Sequence, residues 1–102
     1  MKVIKPATVR LCARKHPTAA SSLAGWLELI KAATFKDFVA LRQVFRSADM
    51  VEVGSDRKVI IFNISGNNFR LIAAVHFNTQ RTFTLRFMTH AEYSKNNWKE
   101  TL

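Results

Sequence analysis

A chain of 102 residues has room for one hydrophobic core but not for a core plus a second independent module, so residues 1–102 are expected to form a single domain. Hydrophobic residues make up 48% of it and eight are Phe, enough apolar surface to offset the entropy of ordering, which excludes a disordered chain. Sixteen Lys and Arg against seven Asp and Glu give a formal charge of +9, and such a surface favours polyanions: RNA, DNA or an acidic protein.

Along the chain, Pro6 suits the first turn of a helix and Pro17 should stop it, which predicts one short helix over "PATVRLCARKH". In "TAASSLAGWLELIKAA" the residues Leu23, Trp26, Leu27 and Ile30 fall at i, i+3, i+4 and i+7, the spacing of a second helix with one apolar stripe. A third, shorter helix is predicted over "TFKDFVALRQVF", opened by Thr34 and Asp37 at the spacing of a capping box. After residue 57 the period changes from helical to two. "KVIIFNI" is an apolar run rich in β-branched residues, "GNN" is a turn signal, and "FRLIAAVHF" and "TFTLRFM" alternate like strands; a weaker strand is predicted near "DMVEV". Helices first and an antiparallel meander second make the expected fold α+β, with two to three N-terminal helices packed on a sheet of three to four strands.

The register can be argued further. Phe69 to Phe77 and Phe83 to Phe87 bury their aromatic rings together only if odd-numbered residues oppose odd-numbered ones, which predicts an odd number of loop residues between the strands, Asn78–Gln80 or Asn78–Thr82. Ile72 then pairs with Arg86 and Arg70 with Met88. Arg70 and Arg86 become diagonal neighbours, about 7 Å apart at the backbone, on the face away from the aromatic core.

Charge is segregated as well. Met1 to Leu27 carries Lys2, Lys5, Arg10, Arg14 and Lys15 with no acid, and Arg57 to Ala91 carries Arg57, Lys58, Arg70, Arg81 and Arg86 with no acid. If the two segments share a face, that face suits phosphate; the plain alternative is a solvated basic exterior. One cysteine, Cys12, excludes an internal disulfide, and with His16, His76 and His90 widely spaced there is no recognisable ligand set. No metal or other cofactor is expected. No apolar run reaches signal-peptide or membrane-spanning length, so the expected location is cytoplasmic with no membrane contact.

The stretch "FMTHAEYSK" places His90, Glu92, Tyr93 and Lys95 directly after the last strand. With Arg70 and Arg86 these are the parts that RNA strand cleavage through the ribose 2′-OH requires: groups to move protons and groups to stabilise phosphorane charge, with no need of a metal. Guanidinium forks suit phosphate oxygens, and histidine is the side chain whose ordinary pKa lies nearest neutrality. Tyr93 and Lys95 are further candidates for proton transfer. Each residue also has a plainer reading: Tyr93 as an amphipathic cap on the core, His76 as a packing or solvent-facing residue, Glu92 as a partner orienting a cation, His16 as a helix terminator, Trp26 and Trp98 as packing.

The order of helices and sheet, with "IFNISGNNFRLIAAVHF" and then "FTLRFMTHAEYSK", resembles the HigB-type toxins of bacterial toxin-antitoxin systems in the RelE-like superfamily, over nearly the whole chain. The resemblance implies an mRNA interferase that cuts translated messages at the ribosome, is inhibited by a HigA-type helix-turn-helix antitoxin, and reaches operator DNA only through that antitoxin. By motif it assigns catalysis to Arg70, Arg86, His90, Tyr93 and Lys95. It assigns RNA contacts to Asn63, Asn67, Asn68 and Glu92, with Lys58 compensating for a lysine that Asn68 replaces. Ser65, Asn68, Phe69 and Ser94 depart from the usual family pattern. The alternatives are a non-catalytic basic RNA- or DNA-binding module, and an inactive toxin acting with its antitoxin as a corepressor.

Overall fold

The computed structural model describes residues 1–102. A short strand β1 (Lys2–Ile4) precedes three helices, α1 (Pro6–Lys15), α2 (Ala20–Ala32) and α3 (Phe38–Val44). Pro6 opens α1, and a 3₁₀ turn over Pro17–Ala19 passes the chain straight into α2. The stripe of Leu23, Trp26, Leu27 and Ile30 is buried, as its spacing predicts. The cap of α3 is Asp37 alone: its carboxylate accepts from the Ala40 N–H at 2.9 Å, while Thr34 lies outside the helix. An N-cap needs extended backbone with the side chain folded back on the first turn, and Asp37 supplies both.

Strands β2 (Asp49–Glu52), β3 (Lys58–Ile64), β4 (Phe69–His76) and β5 (Arg81–Thr89) follow, then a single helical turn α4 (His90–Ser94) and a 3₁₀ segment over Asn97–Thr101. The fold is α+β, but the sheet has five strands in the order β1-β5-β4-β3-β2 rather than three to four, and it is mixed rather than antiparallel. The added strand is β1, which runs parallel to β5 and sets Lys2, Val3 and Ile4 against Arg81, Thr82 and Phe83. Three residues are too few to show a period, and a parallel partner this distant leaves no local signal. No helix is long and apolar enough to cross a membrane.

The predicted odd loop between β4 and β5 is not observed. His76 pairs with Arg81 across four residues, Phe77 to Gln80. A β-bulge then restores the other half of the register: Ile72 pairs with Arg86 and Ala73 with Thr84, leaving Leu85 as the extra residue. Ile72–Arg86 and Arg70–Met88 therefore stand as predicted, by a different route. The bulge splits the aromatic set. Phe87 stacks on Phe69 with centroids 5.3 Å apart on the helix side, whereas Phe83 meets His76 edge-on at 5.4 Å and Leu85 packs into the opposite layer. Thr82, fully buried, pairs with Val75 at the position the pattern gave to an aromatic ring.

Two cores result. The larger lies between the helices and the sheet and includes Val9, Leu23, Trp26, Leu41, Phe62 and Leu71; burying a ring such as Phe62 contributes about 1.5–3 kcal/mol. The smaller lies on the other face, where Ile61, Ile72 and Met88 pack against Val53, Val59 and Trp98. The face expected to lie open is thus partly covered by the C-terminal segment. Trp26 and Trp98 are both packing residues, 3% and 6% exposed.

Gln80 joins the two halves of the molecule. Its amide donates to the Phe35 and Phe77 carbonyls, each at 2.7 Å, and accepts from the Phe35 N–H at 3.2 Å. Gln80→Ala should lower stability by about 1–3 kcal/mol, because backbone groups of a half-buried loop lose their partner. Urea unfolding should show a lower midpoint with an unchanged slope; an unmoved midpoint would mean that the loop is held by other contacts.

Candidate active site

Arg70 enters from the start of β4 on the sheet face away from the helices, across from Asn63 on β3 and Met88 on β5. It is 7% exposed. One guanidinium nitrogen donates to the carbonyls of Asn67 (3.2 Å) and Phe69 (3.0 Å), and the other to the Asn67 side-chain oxygen at 2.6 Å. The group lies 5.4 Å from the ring centre of Tyr93. Tyr93 in turn stacks on Trp98, 5.4 Å between centroids and 18° between planes, and the Trp98 indole donates to the Tyr93 carbonyl at 3.1 Å. Lys99 Nζ lies 5.7 Å from the Trp98 ring. Arg70 thus holds a charge met by neutral acceptors and by the face of the Tyr93 ring.

Arg86 is the contrasting case. It shares the face but is exposed, donating to its neighbour's carbonyl, Leu85, at 2.8 Å and to Thr101 Oγ1 at 3.5 Å. Most of the five donors of a guanidinium remain available there. The two arginines are brought to one face, yet their side chains are anchored apart, Arg70 to the β3–β4 turn and Arg86 toward the C-terminal 3₁₀ segment.

His90, Glu92, Tyr93 and Lys95 are organised by a capping box. Thr89 Oγ1 accepts from the Glu92 N–H at 3.2 Å, and Glu92 Oε1 accepts from the Thr89 N–H at 3.2 Å and from its hydroxyl at 3.1 Å. Glu92 is therefore engaged as the cap of α4. The His90 N–H donates to the Asn68 carbonyl at 2.9 Å, tying α4 to the β3–β4 turn. The His90 imidazole is exposed, its Nδ1 3.3 Å from Ser94 Oγ, and Lys95 ends the helix with its side chain in solvent. Asn63, Asn67 and Asn68 are exposed around Arg70. Lys58 is not part of this group: it begins β3 five residues before Asn63, roughly 17 Å away along the strand. Thr89→Ala removes one side of the box and should cost about 1 kcal/mol, read as faster amide exchange at Glu92 and Tyr93; unchanged exchange would mean that the Asn68 contact alone holds the turn.

One residue in reach of Arg86 carries no sequence signal of its position. His16 terminates α1 as expected, but its ring also meets Phe69 and Phe87 edge-on, at 5.3 and 5.4 Å, and lines a groove with Lys15 and Arg86. Cys12 borders the same groove. Burial pushes its thiol above the ordinary range against the opposing pull of Lys15, so the thiol stays neutral and is no nucleophile at neutral pH.

Residues 19–96 match the profile of the HigB toxin family, described as the RelE-like toxic component of a toxin-antitoxin system. The chain belongs to this family. It is 33% identical to the mRNA interferase HigB of Escherichia coli O6:H1 (strain CFT073), over 93% of this chain and 90% of that relative. It is 31% identical to the mRNA interferase toxin HigB of Escherichia coli K12 and to the mRNA interferase HigB of Shigella flexneri, over 91% of this chain and 88% of each. Strands β4 and β5, which carry Arg70 and Arg86, and the capping box of α4 all lie within the span that the HigB toxin profile matches.

Proposed function

We propose that this HigB-family chain is an endoribonuclease, an mRNA interferase that cuts translated messages at the ribosome. The observation that carries the reading is Arg86, an exposed guanidinium on the sheet face that also holds the Arg70–Tyr93 contact. Directly after β5, α4 presents His90 and Lys95 to solvent, while Glu92 is engaged as a cap. Guanidinium, imidazole and ammonium groups suit a reaction whose charge develops on phosphate.

In this reaction the ribose 2′-oxygen attacks phosphorus and the bond from phosphorus to the 5′-oxygen breaks, leaving a 2′,3′-cyclic phosphate and a 5′-hydroxyl. The 2′-OH gives its proton to a base, and the departing 5′-oxygen takes one from an acid. His90, Tyr93 and Lys95 are the candidates for those two transfers, and Arg86 takes the non-bridging phosphate oxygens. Arg70, enclosed beneath Tyr93, acts as a positioning residue rather than as a phosphate clamp. Asn63 and Asn67 border the face and contact flanking RNA. The antitoxin is of the HigA helix-turn-helix type, operator DNA is reached only through it, and residues 1–102 act as one domain in the cytoplasm.

The test is a map of mRNA 5′ ends shortly after induced expression, comparing a translated reporter with the same reporter lacking its start codon. New ends confined to the translated copy are expected. Ends on both copies would mean a ribosome-independent nuclease. No new ends, with soluble folded protein present, would mean a binding module or a corepressor without activity.

A further inference from the structure

The outer edge of β5 is covered by β1 along only three of its nine residues. β1 pairs with it as far as Phe83, after which the chain turns into α1. Between α1 and the rest of β5 lies a groove of about 340 Å³, whose walls include Thr8, Lys15 and His16 on one side and Thr84, Arg86 and Phe87 on the other. That volume is at the lower end of ligand sites, roughly 300–1,000 Å³.

Three properties of the groove point to one class of ligand. Its charged groups are all basic, Lys15 and Arg86 with the titratable His16, and no acid lines it. Phe87 is half-buried and, with the His16 ring set edge-on to it, forms an aromatic wall. Arg86 belongs both to this groove and to the sheet face of the proposed reaction. Cations and flat aromatic surface are what a single-stranded nucleic acid uses, phosphates on the cations and bases against the rings. An acidic peptide would satisfy the charge but has no use for the aromatic wall.

We propose that the groove between α1 and β5 binds the single-stranded RNA adjoining the scissile phosphate. Arg86 stays on the scissile phosphate at one end of the groove, a neighbouring phosphate is held by Lys15, and a base rests against Phe87 and His16. The proposal rests on the assignment of Arg86 to the reaction and extends it: the strand passes over the edge of β5 at Arg86 from the Tyr93 face to the α1 side. Residues 8–16, which build one wall, lie outside the 19–96 span of the family profile.

The test uses the intact wild-type protein and a fully 2′-O-methylated RNA hexamer, which cannot be cleaved through the 2′-position. Saturable shifts of the His16 imidazole and Phe87 ring signals in NMR are expected. The exposed substitution Lys15→Gln should weaken binding several-fold and make the dependence of log K on log salt shallower by about 0.7, the contribution of one single-strand phosphate. Binding that moves other signals and leaves His16 and Phe87 still would overturn the proposal, as would no binding at low salt. A shift of His16 with a glutamate-rich peptide but not with the hexamer would reassign the groove to an acidic protein partner. Message cleavage by the wild type is scored separately: uncut messages with a responding His16 would remove the nuclease reading alone, and cut messages with a silent His16 would remove the groove alone.

Discussion

Arg86→Ala should lower single-turnover cleavage by about 10²–10³-fold, the loss that follows removal of one donor aimed at developing charge. Folding should hardly change. The side chain is exposed and its two hydrogen bonds go to groups that water can serve, so the stability cost should stay within about 0.5 kcal/mol. Arg86→Lys should recover only part of the rate, because an ammonium offers a point charge where a guanidinium offers a planar fork. A variant that lost its cleavage together with its cooperative urea transition would assign Arg86 to the fold, and one that stayed fully active would remove it from the reaction.

Arg70 should behave in the opposite way, and two substitutions separate its roles. Arg70→Ala leaves a hole beneath Tyr93 and deprives the Asn67 and Phe69 carbonyls of a donor, which should cost about 2–4 kcal/mol. In a chain of this size that is a fall in Tm of about 10–25 °C. Arg70→Met keeps a stem of similar length but removes a charge whose hydrogen-bond acceptors are all neutral. Met refills the space beneath Tyr93 but leaves the same carbonyls without a donor, so this variant should lose only about 1 kcal/mol, clearly less than Arg70→Ala, while its cleavage rate falls, the Tyr93 ring having lost the cation packed against it. Full activity in Arg70→Met would show that Tyr93 needs no such support; an Arg70→Ala protein as stable as the wild type would show that the guanidinium holds nothing in place.

The meander was legible because its evidence is local. "KVIIFNI" is a continuous run of β-branched and apolar residues, "FRLIAAVHF" alternates within itself, and the turn between them takes positive φ at Ser65 (55°) and at Gly66 (67°), the latter a conformation glycine adopts freely. What escaped depends on partners far apart in sequence. β1 is a strand only because β5 lies beside it, and the bulge at Leu85 satisfies a conflict between a four-residue loop and the helix-side core that neither strand shows alone. Of the candidate site, the shared face of Arg70 and Arg86 followed from alternation, whereas their unequal exposure did not: the cover over Arg70 comes from Tyr93 and Trp98, whose stacking depends on the path of the chain after β5. The α4 turn is written in the sequence as well, since Thr89 and Glu92 have capping-box spacing, a signal that the same residues' fitness for proton transfer overlies.

The parallel pairing of β1 with β5 also sets the order in which a nascent molecule can become harmful. Synthesis runs from residue 1 upward, so β1 and the helices emerge long before Arg81 to Phe83 exist to receive them. Contacts closed across so long a loop form late and slowly. Arg86 and Tyr93 lie on and just beyond that same late strand. A chain interrupted by a stalled or premature stop upstream of β5 therefore lacks both the strand that closes on β1 and the face that carries Arg86, and on the proposed reading it cannot cut a message.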